Sequence, residues 1–265
     1  MAIITPGNVN GISYEHQRVF RSKGTITFRH GLGDDSSLFH DLIKVAQDNR
    51  YSTLAINSPG HGQSKYGSVI NQDPENLAAI LDACNIRRTN IAGFSLGATQ
   101  ALHFAYHHPE RVGKMLLLAP VFFDKEYLKP LVKALLPIYE VMKELCPPPT
   151  EERVARNTDF RYGPTNIYGA FLQRIKATGP RTMIAALREL EELGIPDYLK
   201  HIHHEVKIVA GKNDQLATRE TIERLENDLG SHVRTQWLDA GHVIIIEDKK
   251  REKTIEALVA SFLCH

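Results

Sequence analysis

The chain reads as an α/β protein: a mostly parallel, doubly wound sheet with an inserted helical cap. Three observations predict it. Apolar runs that suit strands alternate with amphipathic helical stretches from Thr25 to Ala119. That order implies parallel strands joined by crossover helices. Several of these runs are apolar throughout, above all Met115-Leu116-Leu117-Leu118, as expected of strands covered on both faces. The alternation then stops between Phe122 and about Leu199, where no convincing strand occurs, and resumes at Val206.

Taken in order, Asn10 to Phe20 suggests one or two short strands around an Asn10-Gly11 turn. Thr25 to Arg29 is a strand that runs into His30-Gly31-Leu32-Gly33-Asp34-Asp35, a loop whose glycines let backbone approach a ligand. Ser37 to Asn49 has helical spacing, with Leu38, Leu42, Ile43 and Ala46 on one face. Asp34 and Asp35 are placed to cap that helix. Tyr51 to Asn57 is a strand, closed by the turn formers Ser58 to Ser64. Pro74 to Cys84 is a helix with Asp73 as its expected N-cap.

Asn90 to Thr99 is the most informative stretch. A short strand meets Gly93-Phe94-Ser95-Leu96-Gly97, and a helical pattern runs on from Leu96 to His107. A strand reversing sharply into a helix needs small residues beside the apex, and it holds the apical serine outward. The helix N-terminus then favours negative charge beside it. Val112 to Ala119 follows as a core strand. Beyond it lie two helical stretches, Leu128 to Leu145 and Ile167 to Leu193. We divide the chain into a core, 1–121 and 200–265, and a cap, 122–199. Val206 to Ala210 is a strand ending at Gly211-Lys212-Asn213-Asp214, Thr218 to Leu229 a helix, and Arg234 to Leu238 the last strand before Gly241-His242. Lys249 to Leu263 closes the chain as a helix.

In a parallel sheet, ligands bind beyond the carboxyl ends of the strands. Ser95, Asp214 and His242 all follow strands. A serine hydroxyl needs a base, imidazole has a suitable pKa, and the imidazole needs a carboxylate to fix its tautomer. With these motifs in hand, the chain resembles the α/β-hydrolase fold superfamily over nearly its whole length outside the cap. Gly93 to Gly97 matches the nucleophile elbow, His30-Gly31 the oxyanion loop, Pro59 to Ser64 a family turn, Gly211 to Asp214 the acid loop and Gly241-His242 the histidine loop.

The resemblance implies Ser95 as nucleophile, His242 as general base and acid, and Asp214 as orienting carboxylate, with Asp124 as rival acid. It implies an oxyanion hole from the backbone N–H groups of Leu32 and Leu96. His30, Gly31, Phe122, Phe123, Tyr127 and Tyr139 are candidate substrate contacts. It implies no cofactor and no metal. The activity implied is hydrolysis of a carboxylic ester or thioester of a small molecule. Alternatives are carbon–carbon bond hydrolysis of diketones or cofactor-free perhydrolysis on the same triad, or a small-molecule receptor with little turnover. Two positions depart from the pattern: Arg29 ends a strand expected to end apolar, so it needs a partner, and Asn57 stands where an acid is common and is read as structural.

Composition bounds the rest. Of 265 residues 42% are hydrophobic, and 32 Lys and Arg face 31 Asp and Glu, a net charge of +1 that gives no reason to expect nucleic acid. Three separated cysteines and no apolar run near ~18 residues suggest a reducing, cytoplasmic setting without a membrane span. The oligomeric state is left open. His201, His203 and His204 read as a polar linker, and His103 and His107, four apart on one helix, as surface residues.

Overall fold

In a computed structural model, the described residues are 2–122, 178–230, 233–245 and 249–265. Eight strands form one sheet: β1 (Ala2–Val9), β2 (Ile12–Val19), β3 (Thr25–Arg29), β4 (Ser52–Ile56), β5 (Thr89–Phe94), β6 (Val112–Leu118), β7 (Val206–Gly211) and β8 (Arg234–Leu238). Their order is β1-β2-β4-β3-β5-β6-β7-β8. The β1–β2 and β2–β4 pairs are antiparallel and the remaining pairs parallel. The predicted mostly parallel sheet is therefore present, with an antiparallel hairpin at one edge.

That hairpin turns at Asn10 and Gly11, both at positive φ (54° and 84°), the combination an Asn-Gly hairpin turn uses. β1 itself was not legible. Its Pro6-Gly7 reads as a breaker, and its apolar Ile3 and Ile4 lie exposed rather than alternating into a core.

The helices are α1 (His40–Asp48), α2 (Asp73–Ala83), α3 (Leu96–His107), α4 (Pro180–Leu193), α5 (Arg219–Leu229) and α6 (Lys249–Leu258) among the described residues. A 3-10 turn, Ser36–Phe39, precedes α1, and the Asp35 carboxylate caps it by accepting from Ser37 N–H at 2.9 Å. Thr218 caps α5 in the same way. The core lies on both faces of the central strands. Ile26, Phe28, Leu54, Ile91, Leu116, Leu117 and Ile208 are fully or almost fully buried, which accounts for their unbroken apolar runs.

Two expectations are corrected. Asp73 is the first residue of α2 rather than its N-cap, and its carboxylate pairs with the Arg29 guanidinium instead. Both groups are buried, so this contact also answers what Arg29 meets. His103 is not a surface residue: it is 9% exposed, and its Nδ1 lies 2.9 Å from Tyr198 Oη. The expected cap, 122–199, falls largely outside the described residues. Its described part, Phe122 and 178–199, includes α4. That helix docks through Glu189, whose Oε2 accepts from Ser68 Oγ (2.8 Å), Ile70 N–H (2.7 Å) and Asn71 N–H (3.2 Å).

Candidate active site

The site grows from the crossing point of the sheet. The chain passes from β3 outward to β4, then returns to β5 on the other side of β3. Loops leaving β3 and β5 therefore diverge and open a crevice at their carboxyl ends. At the end of β5, Ser95 takes φ 53° and ψ −116°, a conformation that costs a non-glycine residue on the order of 1–3 kcal/mol. The turn is held by Ser95 N–H donating to Leu118 O at 2.8 Å. It is tight enough that a Cβ on Gly93 would come within 2.4 Å of Gly97 O. One on Gly97 would come within 2.2 Å of Arg29 O. The two glycines let β5, α3 and the start of the β3 loop meet backbone to backbone.

His242 follows β8 and reaches back across the rim. Its Nε2 is 2.9 Å from Ser95 Oγ and its Nδ1 2.8 Å from Asp214 Oδ2. With the proton on Nδ1 donated to the carboxylate, the Nε2 lone pair faces the serine hydroxyl. The Asp214 side chain has no exposed surface. Its second oxygen, Oδ1, accepts from Leu216 N–H (2.8 Å) and Ala217 N–H (2.9 Å), which fixes the carboxylate plane toward the ring. Phe94 packs against the imidazole with ring centroids 5.5 Å apart. The structure thus brings together the three residues singled out from sequence. Asp239 lies at the base of the histidine loop, where Asn213 Nδ2 donates to it at 3.3 Å. Asp124 lies outside the described residues.

The loop after β3 is laced to the loop after β4 by two buried histidines. His30 Nδ1 donates to Gly31 O (2.7 Å), and its Nε2 accepts from Ser58 N–H (2.9 Å). His61 Nδ1 donates to Pro59 O (2.9 Å), and its Nε2 accepts from Gly33 N–H (3.0 Å). Burial lowers His30 to about 4 and His61 to about 3, so both rings stay neutral and keep an acceptor nitrogen. Gly33 N–H is committed to His61 and Asp34 N–H to Gly31 O (3.1 Å), so neither is open to a ligand. Asn57 has a structural place, accepting from Ser36 N–H (2.8 Å) and donating to Ser13 Oγ (2.9 Å).

The candidate substrate contacts fare differently. His30 is fully buried with both nitrogens engaged, so it supports the loop and has no nitrogen left for a ligand. Phe122 is 2% exposed and packs in the core. Phe123, Tyr127 and Tyr139 lie outside the described residues. His61, in the Pro59 to Ser64 turn that the sequence matches to a family motif, is structural, as that motif implies. Nothing local in the sequence shows which backbone group it meets. No cluster of metal-ligating side chains occurs among the described residues, and no described helix is long and apolar enough to cross a membrane.

Comparison with known proteins fits this geometry. The family model for the alpha/beta hydrolase fold matches residues 24–249. A 2-hydroxy-6-oxo-6-phenylhexa-2,4-dienoate hydrolase from Comamonas testosteroni is 29% identical over 159 residues, covering 54% of this chain and 50% of that protein. The chain spans only about a third to a half of the length of the curated relatives it matches at 29–32% identity. Among solved structures, the enol-lactonase from Burkholderia xenovorans LB400 superposes with a TM-score of 0.73 at 18% identity, covering 98% of this chain and 100% of that one. An esterase from Exiguobacterium antarcticum superposes at 0.71 with 18% identity, covering 98% of both chains. A sheet crossing at β3 and β5, a serine on a strained strand–helix turn and a family match over residues 24–249 lead to one conclusion: the chain belongs to the α/β-hydrolase family.

Proposed function

We propose that the protein is a serine hydrolase that cleaves a carboxylic ester or thioester of a small molecule through an acyl-enzyme. The observation that carries this reading is the continuous relay from Ser95 Oγ through His242 to Asp214, at 2.9 and 2.8 Å. In the first half-reaction Ser95 Oγ attacks the acyl carbonyl while His242 Nε2 takes the hydroxyl proton. The tetrahedral oxyanion forms beside the N–H groups of Leu32 and Leu96. On its collapse, His242 returns the proton to the leaving alcohol or thiol. In the second half water takes the place of the serine hydroxyl, and the same proton path releases the acid. Asp214 holds the imidazole tautomer and stabilises the cation that forms in each half.

A second reading is carbon–carbon bond hydrolysis, favoured by the Comamonas testosteroni relative named for that type of substrate. Both readings use Ser95 or the water that it and His242 position. A panel of p-nitrophenyl esters of rising chain length separates them, run beside a 2-hydroxy-6-oxo-dienoate and a fluorophosphonate probe. We expect fluorophosphonate labelling and ester turnover in the parent protein, with both lost in Ser95→Ala. Turnover of the dienoate in preference to every ester supports the second reading. Tight ligand binding without turnover or labelling makes the protein a receptor.

A further inference from the structure

We infer that the opposite end of the sheet, at the amino ends of its central strands, carries a second binding site that takes an oligophosphate group. A cavity of about 590 Å³ lies there, within the size range of small-molecule sites. Its walls come from the chain just before or at the start of β3, β5, β6 and β7, which are successive neighbours in the sheet. Lys23 precedes β3, Arg88 precedes β5, Lys114 sits near the start of β6, and His204 precedes β7. Strands lie about 4.8 Å apart, so these groups form a row spanning roughly 14 Å.

The charges in this row are out of balance. Glu205 is the acidic side chain in the lining, and it pairs with Lys114 at 3.3 Å. Neither Lys23 nor Arg88 has a carboxylate partner among the described residues. Arg88 is oriented rather than adrift: its Nε donates to Val112 O at 2.9 Å, which leaves its terminal N–H groups for an anion. His204 Nε2 lies 2.9 Å from Pro109 O.

Against a whole-chain charge of +1, three cationic side chains against one acidic side chain in one concavity are a local concentration of positive potential. The rest of the lining is mainly polar, with Thr25, Thr89, Asn90 and His265 beside Tyr51. That chemistry disfavours a fatty acid or an aryl carboxylate. Cations on three successive strands, spanning roughly 10 Å with two of them lacking a carboxylate partner among the described residues, fit a chain of phosphates better than a single one. The site is separate from the serine rim, because β5 runs its full length, roughly 20 Å, between Thr89 and Ser95. The inference does not rest on the hydrolase reading.

The test is binding of inorganic triphosphate to the full chain at low ionic strength, followed by calorimetry and thermal melting. We expect saturable binding that raises the Tm. In Lys23→Ala/Arg88→Ala, affinity should fall roughly tenfold or more, since two charge-assisted contacts are lost. Fluorophosphonate labelling should not change in either variant, and the unliganded Tm should not change in Lys23→Ala. Lys23→Ala alone guards against a folding defect from losing the Arg88–Val112 contact, and it should weaken binding by a smaller factor. Lys200→Ala, on an exposed lysine elsewhere, should bind as the parent does. Absence of saturable binding, parent-like binding by the double variant, or an equal loss in Lys200→Ala overturns the proposal.

Discussion

At the scale of single residues, the site depends on one carboxylate whose every oxygen is assigned. Asp214 Oδ2 meets the imidazole, and Oδ1 takes two backbone N–H groups. Asp214→Asn keeps the shape but presents an N–H2 or an uncharged oxygen to His242 Nδ1, which favours the wrong tautomer and withdraws the counter-charge. On the hydrolase reading, kcat for an activated ester should fall by about 10⁴-fold with KM little changed, measured under saturating substrate. A KM effect with kcat intact would assign Asp214 to binding instead. That residues 95, 214 and 242 meet was legible in the sequence, because the chemistry demands those three side-chain types and a parallel sheet puts its strand ends on one rim. Asp73 and His103 were misread for one shared reason. Local rules see a helix start or a helix face, whereas the partners, Arg29 and Tyr198, lie 44 and 95 residues away.

At the scale of elements, the end of β3 is tied to the start of α2 by a buried ion pair, and the loop that holds Leu32 follows Arg29 directly in the chain. Burial raises Asp73 above the ordinary carboxylate range even though Arg29 pulls the other way. Nearby Glu189, arriving from α4, adds to the rise. Arg29 Nε and Asp73 Oδ2 have no hydrogen-bond partner among the described residues, so the pair is incompletely satisfied. Such a pair adds little net stability, yet losing one member leaves a bare charge. Asp73→Asn should destabilise the fold by about 3–5 kcal/mol, whereas Arg29→Met/Asp73→Leu should lie within a few kcal/mol of the parent on either side. Urea unfolding of the three proteins checks this, and equal losses in single and double variants would refute it. The order of elements from β3 to α3 was legible because each carries its own periodicity. The reach of α4 to residues 68–71 was not, since Glu189 reads as one more acid on a charged helix face.

For the whole molecule, acid stability follows from the two buried imidazoles. Unfolded histidine takes up protons below pH 6.5, whereas His30 and His61 in the native state resist until about 4 and 3. Their contribution is therefore complete above pH 6.5 and is lost as pH falls from there toward 4 and 3. The slope is up to about 1.4 kcal/mol per pH unit for each ring. Asp73 has the opposite sign, because its raised native value favours folding as it protonates, and it offsets part of the loss at the acid end. Urea unfolding between pH 7.5 and 5 should show this decline, and His61→Gln, which removes one of the two groups, should make it shallower. An unchanged slope would place the acid sensitivity elsewhere. The first strand carries a different consequence. As the sheet's outermost member, with Ile3 and Ile4 63% and 57% exposed, it offers a template on which another molecule's backbone could stack. Pro6 interrupts that template, because a ring nitrogen without hydrogen cannot extend the ladder. Replacing it with valine would remove the guard, and light scattering on warming would then report fibrous or amorphous association that the native edge resists.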